Sequence, residues 1–367
     1  MRAHVLMLAA MLLAAPLLTA PFSPAAADGP AGPLETVATF DADTPPGNVA
    51  ITPDGRIFLS LHQFWGAPHR VVELLADGST VPYPSEAWAG APEGTGPGLS
   101  SVLGIVADRR GRLWMLDVGG EGHAPKLVAW DTDAERLHRV IPLPSPATVP
   151  QSFVNDLAVD LTHNAVYIAD PAAPESAALI VVDLETGHAR RVLAGSRFTA
   201  PEDINLKVDD RVLSLGGAPA RIGVNPIALS PDDATLYFGA MNGTKIYRIA
   251  TRHLLDESLD DAALAARIVV HGPKPPSDGS TVDSAGNVYI TSVNDDQVGV
   301  TTADGRYVTL YRQSDLSWPD GFAFGPDGQI YLTVNELHRS PVLGEGEAQG
   351  VMRLVRFPAL APGLPGR

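Results

Sequence analysis

The stretch DGSTVDSAGNVYITS, residues 278–292, returns as DGFAFGPDGQIYLTV, residues 320–334, with its parts in the same order. An acidic residue and a glycine lead a short apolar run, a breaker-rich turn follows, and an aromatic strand closes the unit, which is a hairpin signature. Four more copies are legible: GNVAITPDGRIFLS (47–60), LGIVADRRGRLWMLD (103–117), NDLAVDLTHNAVYIAD (155–170) and NPIALSPDDATLYFGA (225–240). Their aromatic landmarks, Phe58, Trp114, Tyr167, Tyr237, Tyr289 and Tyr331, recur at intervals of 42 to 70 residues. Further hairpin-like pieces lie between them, among them KLVAWDTDAERLHRVIPL (126–143) and QVGVTTADGRYVTLYR (297–312).

Two hairpins per unit make a four-stranded antiparallel sheet that cannot bury both faces alone. Six such sheets predict an all-β, six-bladed β-propeller with short, protected edges. One domain is expected over residues 28–367, with its core at about 36–357. Helix is confined to LLDESLDDAALAARIV (254–269), read as a short excursion between blades four and five. The interval of 70 residues between Tyr167 and Tyr237 marks an insertion around 195–223, placed to cover one mouth of the axial channel. The proline-rich ends, 28–34 and 358–367, read as loosely attached tails.

Residues 1–27 have the form of an export signal, with Arg2 at the start, an apolar run from Val5 to Ala20, and Ala25 and Ala27 before Asp28. The mature chain is thus expected to be secreted or periplasmic, and free of the membrane after cleavage. It has no cysteine, which excludes disulfides, thiolate chemistry and Cys-ligated zinc. A formal net charge of −16 argues against nucleic acid and anionic membrane surfaces as partners. Gly-x-Ser-x-Gly, phosphate-loop and His-Glu-x-x-His signatures are all missing. His62 and His69 follow the first repeat and read as surface loop residues, and the sequon at 242–244 is expected to stay unmodified.

In a propeller, equivalent positions of the repeats converge on the axis. Five places before each turn residue stand Gly47, Leu103, Asn155, Asn225, Asp278 and Asp320; one place further on, Asn48 and Asp156 join them. The symmetry gathers these carboxylates and amides in one polar cavity for a small molecule. Oxygen donors of this kind also suit Ca²⁺, so one divalent cation is a second expected occupant. Asp278 and Asp320 are the acid–base pair to expect, because neighbouring carboxylates in a dry channel drive their pKa values apart. Should an ammonium bind, Trp318, Phe153 or Trp65 would offer it a ring face.

PHRVVELLADGSTVPYPSEAW (68–88), GVNPIALSPDDATLYFGAMNGTKIYRIATRHLLDE (223–257) and WPDGFAFGPDGQIYLTVNEL (318–337) resemble the Yellow and major royal jelly protein family, from about residue 36 to 357. That resemblance implies an exported six-bladed propeller, and a range of roles from binding aromatic biogenic amines to storage and dopachrome isomerisation. More distantly, the chain is similar to gluconolactonase and regucalcin-like propellers. This second resemblance implies a metal, calcium or alternatively manganese or zinc, held by Asn155, Asn225 and Asp278, and a lactone hydrolase activity. Its glutamate ligand is replaced by Gly47, with Asp156 or Asp320 as substitutes. A scaffold or storage role using the outer surface is the remaining alternative.

Overall fold

The computed structural model describes residues 32–94, 96–344 and 351–366. The expected export signal over 1–27 lies outside them. Six four-stranded antiparallel sheets are present among these residues. Their innermost strands are Pro46–Ile51, Val102–Ala107, Asp156–Asp160, Val224–Leu229, Ser280–Val282 and Pro319–Phe324. Each lies against that of the next blade, and the sixth lies against the first. The ring is closed.

Closure uses both ends of the described chain. Blade six takes Pro319–Phe324, Gln329–Val334 and Met352–Pro358 from the C-terminal side, and its outermost strand is Glu35–Phe40 from the N-terminal side.

The repeat has a physical reason, visible in blades two, three and five. The aromatic landmark on the second strand reaches back to the acid at the turn: Trp114 Nε1 donates to Asp108 Oδ2 at 2.9 Å, and the Tyr167 and Tyr289 hydroxyls donate to Asp160 and Asp283 at 3.0 Å. The rings themselves are buried between blades. A single side chain thereby fills the core and fixes the hairpin register, and removing one such ring would cost about 3–5 kcal/mol.

Two expectations are corrected. The helical excursion lies inside blade four, not after it. Two short helices, Thr251–Leu254 and Asp261–Ala265, link its third strand, Lys245–Ala250, to its fourth, Val269–Pro273. The segment from Val269 reads as the end of a helix in sequence, but its β-branched pair takes the outer edge of the sheet. The C-terminal tail is not loose either. Leu360 N donates to the Tyr289 hydroxyl at 2.6 Å, Ser284 N to Pro362 O at 2.8 Å, and Gly366 N to Phe324 O at 2.9 Å. It runs over blades five and six, and Gly366 packs against the carbonyls of Ala107 and Ile51 in blades two and one.

At the axis the blades touch backbone to backbone. A Cβ on Gly279 would collide with the carbonyl of Asp320, and one on Gly321 would lie 2.7 Å from the Asn48 Cα. Gly279→Ala is therefore expected to lower stability by about 1–3 kcal/mol through overpacking, read as a drop in thermal midpoint. An unchanged midpoint would mean the ring is looser than described.

Candidate functional site

Four innermost hairpins slip register at the same level: between Pro46 and Val49, Val102 and Ile105, Val224 and Ile227, and Pro319 and Phe322. Such bulges bend a strand and re-aim its side chains. The slipped residues include Asn48, Asn225 and Asp320. Hydroxyls on the second strands satisfy the freed amides: Asn48 N donates to Ser60 Oγ at 2.8 Å, Gly279 N to Thr291 Oγ1 at 3.0 Å, and Gly321 N to Thr333 Oγ1 at 2.9 Å. Ser60 and Thr333 then donate to Leu103 O and Gly47 O of the adjacent blades, both at 2.6 Å.

These strand starts form the floor of a cavity of about 300 Å³. Asn48, Asn155, Asp156, Asn225, Asp278 and Asp320 all line it, as do Phe153 and Trp318. Asn48 Nδ2 reaches across from blade one to donate to Asp156 Oδ1 in blade three at 2.8 Å. A second chain runs along the ring, in which the Asn155 amide donates to Asn225 and the Asn225 amide donates to Asp278. Asp278 Oδ2 accepts from Trp318 Nε1 at 2.7 Å, and Asp320 Oδ2 from Asn335 Nδ2 at 2.8 Å.

Trp65 does not join them. It packs against two buried clusters, one that includes Leu61, Ala67 and Met352 and one that includes Leu206, Val208 and Leu337. The 3₁₀ turn Gln63–Trp65 presents the preceding ring, Phe64, to the cavity instead, 6.3 Å from Phe153. Trp318 is present in another capacity than a free ring face. It is 1% exposed, its backbone is held in the left-handed region at φ 53°, and His338 stacks on its face at 6.1 Å. Strain of that kind in a bulky residue persists only where the surroundings enforce it. Here it serves to aim the indole N–H at Asp278.

His62 is a lining residue too, against the surface reading of its loop, whereas His69 pairs at the surface with Glu86 at 3.0 Å. Burial lowers His62 to about 3, so its ring is neutral. Its Nδ1 accepts the Phe64 amide at 3.3 Å, which places the ring proton on Nε2 as a donor. The sequon asparagine, Asn242, is buried, and its amide is engaged by Ile222 N, Ile204 O and Ala220 O.

Three carboxylates thus share one cavity, Asp278 buried and Asp156 and Asp320 half-buried. Burial raises Asp278 to about 6, opposed by the bonds from Trp318 and Asn225. Asp156 reaches about 8 through burial and then the charge of Asp278. Asp320 is pushed well above the carboxylate range by burial, then by Asp278 and Asp156. Arg221 is the one permanently cationic lining residue among the described residues, and it is bound to Asp203 at 2.6 Å and Asn205 at 3.2 Å.

The metal expectation fits these donors poorly. Asn155, Asn225 and Asp278 are contiguous, but they offer one charge and already pair with each other. No three His, Asp or Glu side chains among the described residues come close enough to share an ion. A glutamate at position 47 would also crowd Ser60, since a Cβ there lies 2.9 Å from Ser60 Oγ.

An acid whose pKa is raised by folding favours the fold when protonated. That stability is complete below about pH 4 and is lost as pH climbs through the raised values. Asp156→Asn keeps the acceptor for Asn48 and removes the charge. In the unliganded protein the variant should match the parent near pH 4 and exceed it by on the order of a few kcal/mol near pH 8. Parallel midpoint curves from pH 4 to 8 would refute an uncompensated carboxylate.

Residues 100–337 match the family model described as Major royal jelly protein. Major royal jelly protein 1 of Apis mellifera is 23% identical over 282 residues, 71% of this chain and 63% of that protein. Protein yellow of Drosophila melanogaster is 28% identical over 195 residues, 48% of this chain and 35% of that protein. The match thus spans less than two thirds of either relative. Among solved structures, a gluconolactonase from Xanthomonas campestris superposes with a TM-score of 0.53 at 16% identity, covering 92% of this chain and 99% of that one. Regucalcin from Agrobacterium tumefaciens, a calcium-binding protein, gives 0.53 at 16% identity, covering 90% and 96%. At such identities the likeness is one of fold.

Proposed function

The chain belongs to the major royal jelly protein family, and from that premise we propose that its axial cavity binds a small aromatic molecule carrying an ammonium group. The observation that carries this reading is the trio Asp156, Asp278 and Asp320, facing a cavity whose nearest permanent cation is already paired. Buried carboxylates without a counter-charge either hold protons or attract a cation. At about 4 Å and an effective dielectric near 20, one ammonium–carboxylate contact amounts to about 4 kcal/mol before desolvation. Phe64 and Phe153, tilted 37° to one another, supply aromatic faces for the ring, and the His62 Nε2–H supplies a donor for a ring oxygen.

Dopamine and tryptamine are expected to raise the thermal midpoint by several degrees at pH 7.5, since a ligand at a hundred times its Kd adds about 2.7 kcal/mol. Asp278→Asn should remove most of that shift, whereas Asp320→Asn, at a carboxyl that burial and its neighbours keep protonated at this pH, should remove less of it. Affinity should fall below about pH 6, where Asp278 takes up its proton. Catechol, which has the ring without the amine, should have little effect. Catechol shifting the midpoint as far as dopamine does would sink the charge-based reading.

A second reading, proton transfer on the carbon skeleton of a bound aminochrome, is favoured by the unequal pair in blades five and six. Asp278 is held lower by two donors and would act as the base; Asp320 is pushed higher and would return the proton. Turnover of aminochrome abolished in Asp320→Asn is the expected result, and turnover that survives the substitution would remove Asp320 from the chemistry. A divalent cation and the lactone hydrolysis that depends on it are less well supported. Ca²⁺, Mn²⁺ or Zn²⁺ at millimolar concentration, compared with a chelator, should leave the midpoint unchanged; a metal-dependent shift lost in Asp278→Asn would reinstate the ion.

We propose export as well, on the form of residues 1–27. No helix of the described residues is long and apolar enough to cross a membrane. Expression of the full chain should yield mature protein beginning near Asp28 outside the cytoplasm.

A further inference from the structure

The insertion before blade four folds into two minimal hairpins, Lys207–Val208 with Arg211–Val212 and Ser214–Leu215 with Ala218–Pro219. Its turns use left-handed residues, Asp209 and Asp210 in the first and Gly216 and Gly217 in the second. Both ends of the insertion are pinned by one side chain, since Asn242 Nδ2 donates to Ile204 O at 2.8 Å and Ala220 O at 2.9 Å. Between those pins little is buried apart from Leu206, Val208 and Leu213. Leu213 and Leu215 line the axial cavity, so this segment forms part of its wall.

Asn294 of blade five holds the base of the first hairpin, accepting from Lys207 N at 3.0 Å and donating to Asn205 O at 3.3 Å, and one side chain, Asp209, ties its tip to blade six. Asp209 Oδ2 lies 3.0 Å from His338 Nε2 and 3.4 Å from Arg339 Nη2. His338 in turn stacks on Trp318, whose indole N–H holds Asp278. We propose that residues 205–221 are a lid on the axial cavity, latched by Asp209 onto His338 and Arg339, which must release before a ligand passes. The segment suits that role, because two-residue ladders with exposed backbones open at low cost, while the Asn242 pins keep the ends in place. Closing the lid also presses His338 onto Trp318, so the shut state is the one that holds Asp278 in position.

The test needs no ligand. Hydrogen exchange is followed by mass spectrometry on the full chain, its Asp209→Asn variant and its Asp210→Asn variant. Asparagine tolerates the left-handed backbone at both positions, and Asp210 carries the same charge without the contact. Amides of 204–220 should exchange roughly 1.5- to fivefold faster in Asp209→Asn, the range for losing one partly exposed ion pair. They should be unchanged in Asp210→Asn, and the blade strands should be unchanged in both. Equal exchange in Asp209→Asn and the parent overturns the latch. So does acceleration of the same size in Asp210→Asn, or acceleration spread through the blades. With dopamine as the probe, Asp209→Asn should bind and release faster by the same factor, with Kd altered less than threefold. A failure of dopamine to bind any of these proteins would count against the proposed ligand class, while the exchange data would still decide the lid.

Discussion

Closure of the ring by a single strand is the constraint from which the rest of this structure follows. Glu35–Phe40 pairs along Met352–Pro358 and makes blade six a full sheet. The strand itself is poorly buried apart from Phe40, so it adds mainly a ladder of hydrogen bonds. The Arg356–Glu35 pair at 2.9 Å and the Tyr311 hydroxyl on Gly32 O at 2.8 Å hold it at the rim. Only a closed ring brings the six strand starts to a common axis, and only there do the carboxylates of blades three, five and six share a cavity. The tail at 359–366 reinforces the closure on the face away from the acid and amide ring, where it meets the turn ends of blades one, two, five and six.

The site that results carries a deliberate imbalance. A hydrophobic axis would be more stable, because each buried carboxylate costs desolvation that its amide partners only partly offset. The amides orient the carboxylates and do not neutralise them. Asn48 fixes Asp156, Asn225 and Trp318 fix Asp278, and Asn335 fixes Asp320. The result is a charged Asp278 flanked by two acids that hold their protons to higher pH, with the hydrogen-bond donors that orient all three already in place when a cation arrives. The neutral His62 beside the frame adds direction without cancelling charge.

Much of this architecture was legible in the sequence because it is repeated. The acid–aromatic pairing of blades two, three and five writes the same residue types at nearly the same spacing, as in Asp108 with Trp114 and Asp283 with Tyr289, and the ring residues occupy two adjacent positions in the repeat. Features that occur once were not legible. ETVATF at 35–40 reads as a strand, but nothing local says that its partner lies more than three hundred residues away. Phe64 and Trp65 are adjacent aromatics in a loop, and only the 3₁₀ turn decides which of them faces the cavity. Asn335 lies just past the second strand of blade six, outside the aligned position. Its role depends on a hydrogen bond that no periodicity encodes. The helices of blade four were misplaced because an edge strand of five residues, VVHGP, carries too weak a signal to separate from the helix before it.

The lid and the acid ring are connected by the same desolvation argument. An open cavity would let water solvate Asp156, Asp278 and Asp320, which would bring their pKa values back toward the ordinary range and weaken their attraction for an organic cation. Excluding water requires a cover, yet a cover made of blade strands could not open. A segment with three buried apolar anchors, two hydrogen bonds to Asn294 and the Asp209 latch meets both demands, since it is stable enough to shut and too small to resist opening. The ion pair sits over Trp318, where a change in the lid is felt at Asp278 through one stacked ring and one hydrogen bond. Access and electrostatics are therefore set by the same few side chains, which places the control of this cavity in the insertion and the loop after blade six's second strand rather than in the repeats.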